Sequence, residues 1–108
     1  MSNQTCRWNG VELHILAKDS NWSKSAGIYI FAGVNASQKW VALYIGQASS
    51  FADRIPNHER WDDAVKRGAT HVHACIVTTQ AERDRLEESL IRTFQPPLNA
   101  HYVPGGVR

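Results

Sequence analysis

A carboxylate set inside an apolar helical stripe has to be held by something. Leu86, Leu90, Ile91 and Phe94 recur at helical spacing, and Glu87 falls within their stripe while Glu88 points away from it. Such an acid is costly unless it is paired, hydrogen-bonded or bound to a cation. Arg83, one turn earlier on the same side, is one partner of the right kind; a divalent metal is the other. Two phenols form a second chemical group. Tyr29 in GIYIFAGV and Tyr44 in KWVALYIG share a strand face if the two runs pair as a hairpin. A third set, His71, His73 and Cys75, has the residue types of a zinc site, but a strand spaces them in a row rather than around a point and no fourth ligand is near. Strand residues facing solvent or substrate are the simpler reading of that row.

The elements that must position these groups can be read from pattern. The runs 27–34 and 39–46 are rich in β-formers and are separated by the polar tip NASQ, so they form an antiparallel hairpin. Strict alternation places Ile28, Ile30, Val41, Leu43 and Ile45 on one face, and Tyr29, Phe31, Trp40 and Tyr44 on the other. Upstream, VELHIL alternates after an Asn9-Gly10 turn and reads as one accessory strand, followed by a polar loop to Gly27. Ser50 and Asp53 mark a helix start that Pro56 interrupts, and the pattern resumes to a stop at Gly68. THVHACIV is a third strand, and Thr79 with Glu82 makes a capping box for the helix that ends before Pro96-Pro97.

At 108 residues there is room for a single core. The sequence has neither an apolar run of membrane-spanning length nor a secretory signal pattern, which leads to the expectation of a soluble, cytoplasmic protein. Two cysteines without CxxC spacing point to reduced thiols. A formal charge of +2 is far from that of a protein that coats nucleic acid, so any anionic partner must be held locally.

The order of the residues resembles the GIY-YIG nucleases. Gly27-Ile28-Tyr29 precedes Tyr44-Ile45-Gly46; Arg54 and His58 follow in RIPNH; Glu87 lies in EESLI; and PPLN ends in Asn99. Either triplet alone carries little, since tyrosine and isoleucine favour any strand. The resemblance spans residues 27–99. It implies an α/β (α+β) domain with a small central three-stranded antiparallel sheet flanked by helices, to which the sequence adds the N-terminal strand. The expected division is an N-terminal extension at 1–26, the nuclease-like domain at 27–99 and a loosely held tail at 100–108.

The resemblance further implies hydrolysis of phosphodiester bonds in DNA with one Mg²⁺ or Mn²⁺ ion. That reaction needs an activated water, neutralisation of charge on the phosphoryl oxygens and stabilisation of a leaving alkoxide. In the implied assignment Glu87 binds the metal, Arg54 grips the scissile phosphate, and Tyr29 is the base or orients the water with Tyr44 in support. His58 relays a proton, with Pro56 liable to offset its position. Asn99 pins the chain end, and Gly27 and Gly46 permit close backbone approach. Trp22 and Trp40 are read as exposed aromatics available for contacts. The expected partner is nucleic acid, as DNA in single-stranded, branched or duplex form, with no membrane; a homodimer or a targeting partner stays open. The rival reading is a catalytically silent module that binds nucleic acid or protein on the same fold.

Overall fold

The computed structural model describes residues 4–99, so the tail expected at 100–108 lies outside the described residues. Five strands form one antiparallel sheet: β1 (Thr5–Trp8), β2 (Val11–Leu16), β3 (Gly27–Val34), β4 (Trp40–Ala48) and β5 (His71–Ile76), in the order β1-β2-β5-β3-β4. The helices are α1 (Phe51–Arg54), α2 (Trp61–Lys66) and α3 (Gln80–Phe94), with a 3₁₀ turn at Pro97–Asn99. The fold is therefore α+β, with the expected three strands β4-β3-β5 inside a wider sheet. Among the described residues, no helix is long and apolar enough to cross a membrane.

The N-terminal segment contributes two strands where one was expected. Asn9 and Gly10 both take positive φ, 50° and 84°, the backbone that a two-residue hairpin requires. This closes TCRW onto VELHIL with Trp8 opposite Val11. Trp8 is buried, meets Phe94 of α3 edge-on at 5.2 Å between ring centroids, and donates its indole N–H to Nδ1 of His73 at 2.9 Å. A short strand with one alternating pair, Cys6 and Trp8, gives little periodicity to read, and this is why β1 was not foreseen.

The sheet separates two apolar clusters. On one face Ile28, Ile30 and Ile45 pack with Leu90 and Ile91 of α3; on the other, Tyr29 and Phe31 pack with Phe51, Ile55 and Val72. Ile28, Ile30, Ile45, Tyr29, Phe31 and Tyr44 take the faces that alternation assigns. Val41, Leu43 and Trp40 do not. Phe31 pairs with Tyr44 but Ala32 pairs with Ala42, so Leu43 is an extra residue in β4. This β-bulge shifts the phase: Val41 and Leu43 join the tyrosine cluster, and Trp40 moves to the α3 side.

Alternation also ends early in β5. Val72 and Ala74 are buried on the tyrosine face, but Ile76, in the same phase, is 62% exposed at the strand end. His73 is fully buried on the opposite face, against Trp8 and Trp40, rather than facing solvent or substrate. Trp22 and Trp40 are half-buried. The helical pattern after Pro56 begins only at Trp61; residues 57–60 form turns, so His58 stands on a loop and shares no helix with Arg54.

Candidate active site

The two triplets meet face to face. Tyr29 in β3 lies opposite Gly46 in β4, and its ring leans across the glycine: a Cβ placed at residue 46 would sit 2.5 Å from the Tyr29 hydroxyl oxygen. Glycine is required there because the phenol occupies the space a side chain would take. Gly27 is under similar pressure, since its Cβ would meet the backbone oxygen of Cys75 at 2.0 Å and the Phe51 ring at 2.5 Å. The Tyr29 and Tyr44 rings stand 6.4 Å apart on the same face, with His58 edge-on to both, at 5.4 Å from Tyr29 and 5.2 Å from Tyr44.

His58 is buried, and both of its ring nitrogens are engaged. Nδ1 accepts the backbone N–H of Arg60 at 3.0 Å, and Nε2 is 2.7 Å from the Tyr29 hydroxyl. Burial, aided by the nearby Arg54 charge, lowers its pKa to about 4, so the ring is neutral at pH 7. A neutral ring whose Nδ1 is an acceptor carries its hydrogen on Nε2. His58 therefore donates to Tyr29. No lone pair is left for the proton relay expected of it; Pro56 does not keep His58 from reaching Tyr29.

Tyr29 is fully buried, and burial, reinforced by the neighbouring Tyr44, pushes its pKa far up. Tyr44 is partly exposed. Its pKa is raised by burial, with the Arg54 charge working in the opposite direction. The two phenols thus differ in kind: one is a held interior group, the other borders solvent.

Arg54, at the end of α1, presents its guanidinium on this side and makes a two-pronged ion pair with Glu59, at 2.8 and 3.0 Å. The pairing holds the Glu59 carboxyl near pKa 2. A planar fork that already grips a carboxylate has the geometry to grip a phosphate. Asn99 binds the outer edge of β4: its amide N–H donates to the Ile45 carbonyl at 3.0 Å and its oxygen accepts the Ile45 N–H at 2.8 Å. One side chain here mimics a further strand, fixing the residue between Tyr44 and Gly46.

Glu87 projects from α3, and its charge acts on both phenols. Burial raises its own pKa. The ion pair with Arg83 does not form. Arg83 is buried and donates instead to the Val77 and Thr78 carbonyls, each at 3.0 Å, and to Gln80. Glu87 receives one hydrogen bond, from the Gln47 amide at 2.8 Å. A half-buried carboxylate with a single neutral donor has capacity for a cation. Among the described residues no three His, Cys, Asp or Glu side chains cluster as metal ligands, at His71, His73 and Cys75 or elsewhere. The donor set therefore fits Mg²⁺, which takes one or two carboxylates and keeps water in its remaining positions.

Gln47 was missed in the sequence. Its amide bridges Asp84 and Glu87, each at 2.8 Å, and its oxygen accepts from Gln80 at 2.8 Å. Asp84 was missed as well. Its spacing of three from Glu87 was a usable signal, since it places both acids on one helix face.

The sequence matches no described protein family, and a search of curated proteins finds no relative. Solved structures do match. The GIY-YIG N-terminal endonuclease domain of UvrC from Thermotoga maritima, bound to magnesium as its catalytic divalent cation, superposes with a TM-score of 0.59 at 25% identity, covering 73% of this chain and 88% of that one. A point mutant of the same domain, also with its catalytic divalent cation, gives 0.57 at 26% identity over 73% and 87%. This chain has the GIY-YIG fold. The domain sets His58 against Tyr29 and Tyr44 on one sheet face, with the Arg54 and Glu87 charges acting on both phenols and Asn99 bracing β4 from outside. Its neighbours are endonuclease domains that bind a divalent cation, which supports a nuclease function and a divalent metal.

Proposed function

We propose that this GIY-YIG domain is a divalent-metal-dependent endonuclease that hydrolyses phosphodiester bonds in DNA. The observation that carries the reading is Glu87, a half-buried acid whose one hydrogen bond comes from a neutral amide and whose charge reaches the two phenols that the Arg54 guanidinium also reaches. Glu87 would hold Mg²⁺ or Mn²⁺, which supplies Lewis-acid neutralisation of the charge on the phosphate.

The remaining work falls to the protein. Arg54 exchanges Glu59 for the scissile phosphate and balances the charge that gathers on its oxygens. Tyr44, at the solvent boundary, takes the proton from the attacking water; the Arg54 charge and a cation at Glu87 both favour its phenolate. Tyr29 is better suited to support than to the base role first assigned to it, because it is enclosed and its oxygen accepts from His58. Its own hydroxyl hydrogen is left free to orient a neighbouring oxygen. His58 then acts by holding Tyr29, and Asn99 by holding the strand segment between Tyr44 and Gly46.

Purified protein assayed on single-stranded, branched and duplex DNA with Mg²⁺ or Mn²⁺ tests this, alongside Glu87→Ala and Tyr44→Phe. Expected are metal-dependent cutting by the wild type and losses of at least a hundredfold in both variants, with Mn²⁺ binding by calorimetry lost only in Glu87→Ala. Wild-type DNA binding without cutting in any metal would instead identify a silent binding module.

A further inference from the structure

The tyrosine face of the sheet holds a second concavity beside the candidate active site. A cavity of about 470 Å³ lies over β2 and β5, walled by Trp22, Phe51, Leu16, His14 and Ile76. Its size falls within the usual range of small-ligand clefts, roughly 300–1,000 Å³. Phe51 of the cavity wall, pressed over Gly27, belongs to the same apolar cluster as Tyr29 and Tyr44.

Three relations link this cavity to a nucleic-acid strand. First, Phe51 and Arg54 are the two ends of α1, about one helical turn apart, so a strand gripped at Arg54 has its neighbouring nucleotide beside the cavity. Second, the walls are mostly apolar, and the half-buried Trp22, backed at 5.9 Å by the buried Phe51, offers a ring on which a base can stack. The indole N–H of Trp22 is tied to the Lys18 carbonyl at 2.9 Å, which fixes the ring rather than leaving it to turn. Third, Lys18 links the cavity wall to the His58 side: its carbonyl holds the Trp22 indole, while its ammonium donates to the Pro56 carbonyl at 3.1 Å and stands over the Trp61 ring, and its charge acts on His58. A cation at that point suits the phosphate linking the two nucleotides.

We infer that this cavity is a subsite for one unpaired DNA base, flanking the bond that the proposed nuclease site cuts. The inference rests on that reading for its substrate. A base within a duplex enters only by leaving its stack, which costs about a few kcal/mol. The subsite therefore favours single-stranded or branched DNA over fully paired DNA.

The test uses the 108-residue protein and fluorescein-labelled single-stranded oligonucleotides, intact or carrying one abasic position moved stepwise along the strand, with binding read by anisotropy. One abasic position is expected to weaken wild-type binding on the order of tenfold, the scale of one stacked base. Trp22→Ala should weaken intact DNA similarly and be insensitive to that position. Because Trp22 packs on Phe51, two checks stand apart from its folding: the surface variant Ile76→Ala, and photocrosslinking of 5-iodouracil at the sensitive position in the wild type, expected at Trp22 or Phe51. Cutting is measured in the same preparations. Cutting with no abasic-sensitive position, or crosslinks only outside the cavity, overturns the subsite and leaves the nuclease reading intact. Base-sensitive binding without cutting keeps the subsite and overturns the nuclease. No binding to any strand overturns both.

Discussion

The Tyr29 hydroxyl and His58 Nε2 stand 2.7 Å apart, and the hydrogen bond runs from the imidazole to the phenol. In the proposed reaction His58 would act through Tyr29, as a positioning residue. His58→Gln keeps a side-chain N–H donor and should retain a substantial part of kcat, whereas His58→Leu should lose tenfold or more with KM little changed. If the Gln variant were as impaired as the Leu variant while both stayed folded, a donor role would be untenable.

Buried neutral histidines make the fold sensitive to acid. His58 and His73 each titrate near 4 in the folded chain, both chiefly because burial disfavours the charged ring, against about 6.5 when unfolded. Between these values the unfolded state binds more protons. Their stabilisation is therefore complete above about pH 6.5 and is lost as pH falls toward 4, on the order of 3 kcal/mol per ring. Urea midpoints measured at pH 7.0, 5.5 and 4.5 should fall steeply, and less steeply in His58→Leu. A flat profile in the wild type would contradict the burial of both rings.

Gly46→Ala should be damaging although one methyl is added. The new carbon would lie 2.5 Å from the Tyr29 hydroxyl oxygen, so the phenol or the strand must move. Overpacking of this kind costs about 1–3 kcal/mol. The expected result is a lower thermal midpoint together with a loss of cutting larger than the stability change explains. An unchanged midpoint would mean that the ring does not cross residue 46.

Asn99→Ala removes both bonds to Ile45 and leaves that part of the β4 edge without its partner. A cost of about 1–2 kcal/mol is expected. Faster amide exchange at Ile45 should report the lost clasp, while the amides of β5, remote from this edge, stay protected. Equal acceleration in β5 would point to global loosening instead.

The elements that carry the candidate site were more legible in the sequence than the packing around them. The tyrosine pair followed from period-two alternation because β3 and β4 are regular as far as Tyr44. Val41, Leu43 and Trp40 were misassigned because a bulge is a feature of pairing, and one strand's sequence does not announce it. Glu87 stood out as an acid in an apolar stripe. Its isolation from Arg83 depends on carbonyls that only the folded β5–α3 turn presents. Burial of His73 likewise depends on Trp8, sixty-five positions away, arriving on an unforeseen strand. Gln47 was hidden because a polar strand residue signifies little until its partners are known, whereas Asp84 could have been read from its spacing to Glu87.

Glu59 is the residue whose removal should help. Its carboxylate fills the Arg54 fork that the proposed reaction needs for phosphate, so substrate must displace it. The pair is solvent-exposed and screened, and exchange is therefore inexpensive, but it still competes with binding. Glu59→Gln leaves a neutral amide of the same size. KM for DNA should fall a few-fold with kcat retained, and inhibition by inorganic phosphate should strengthen in parallel, because both ligands draw on the same released fork. Arg54→Lys, which cannot form the two-pronged contact, should lose activity whether or not Glu59 is present. If Glu59→Gln instead lowered kcat at unchanged KM, the carboxylate would be holding Arg54 in its working position, and the competition between Glu59 and phosphate would be excluded.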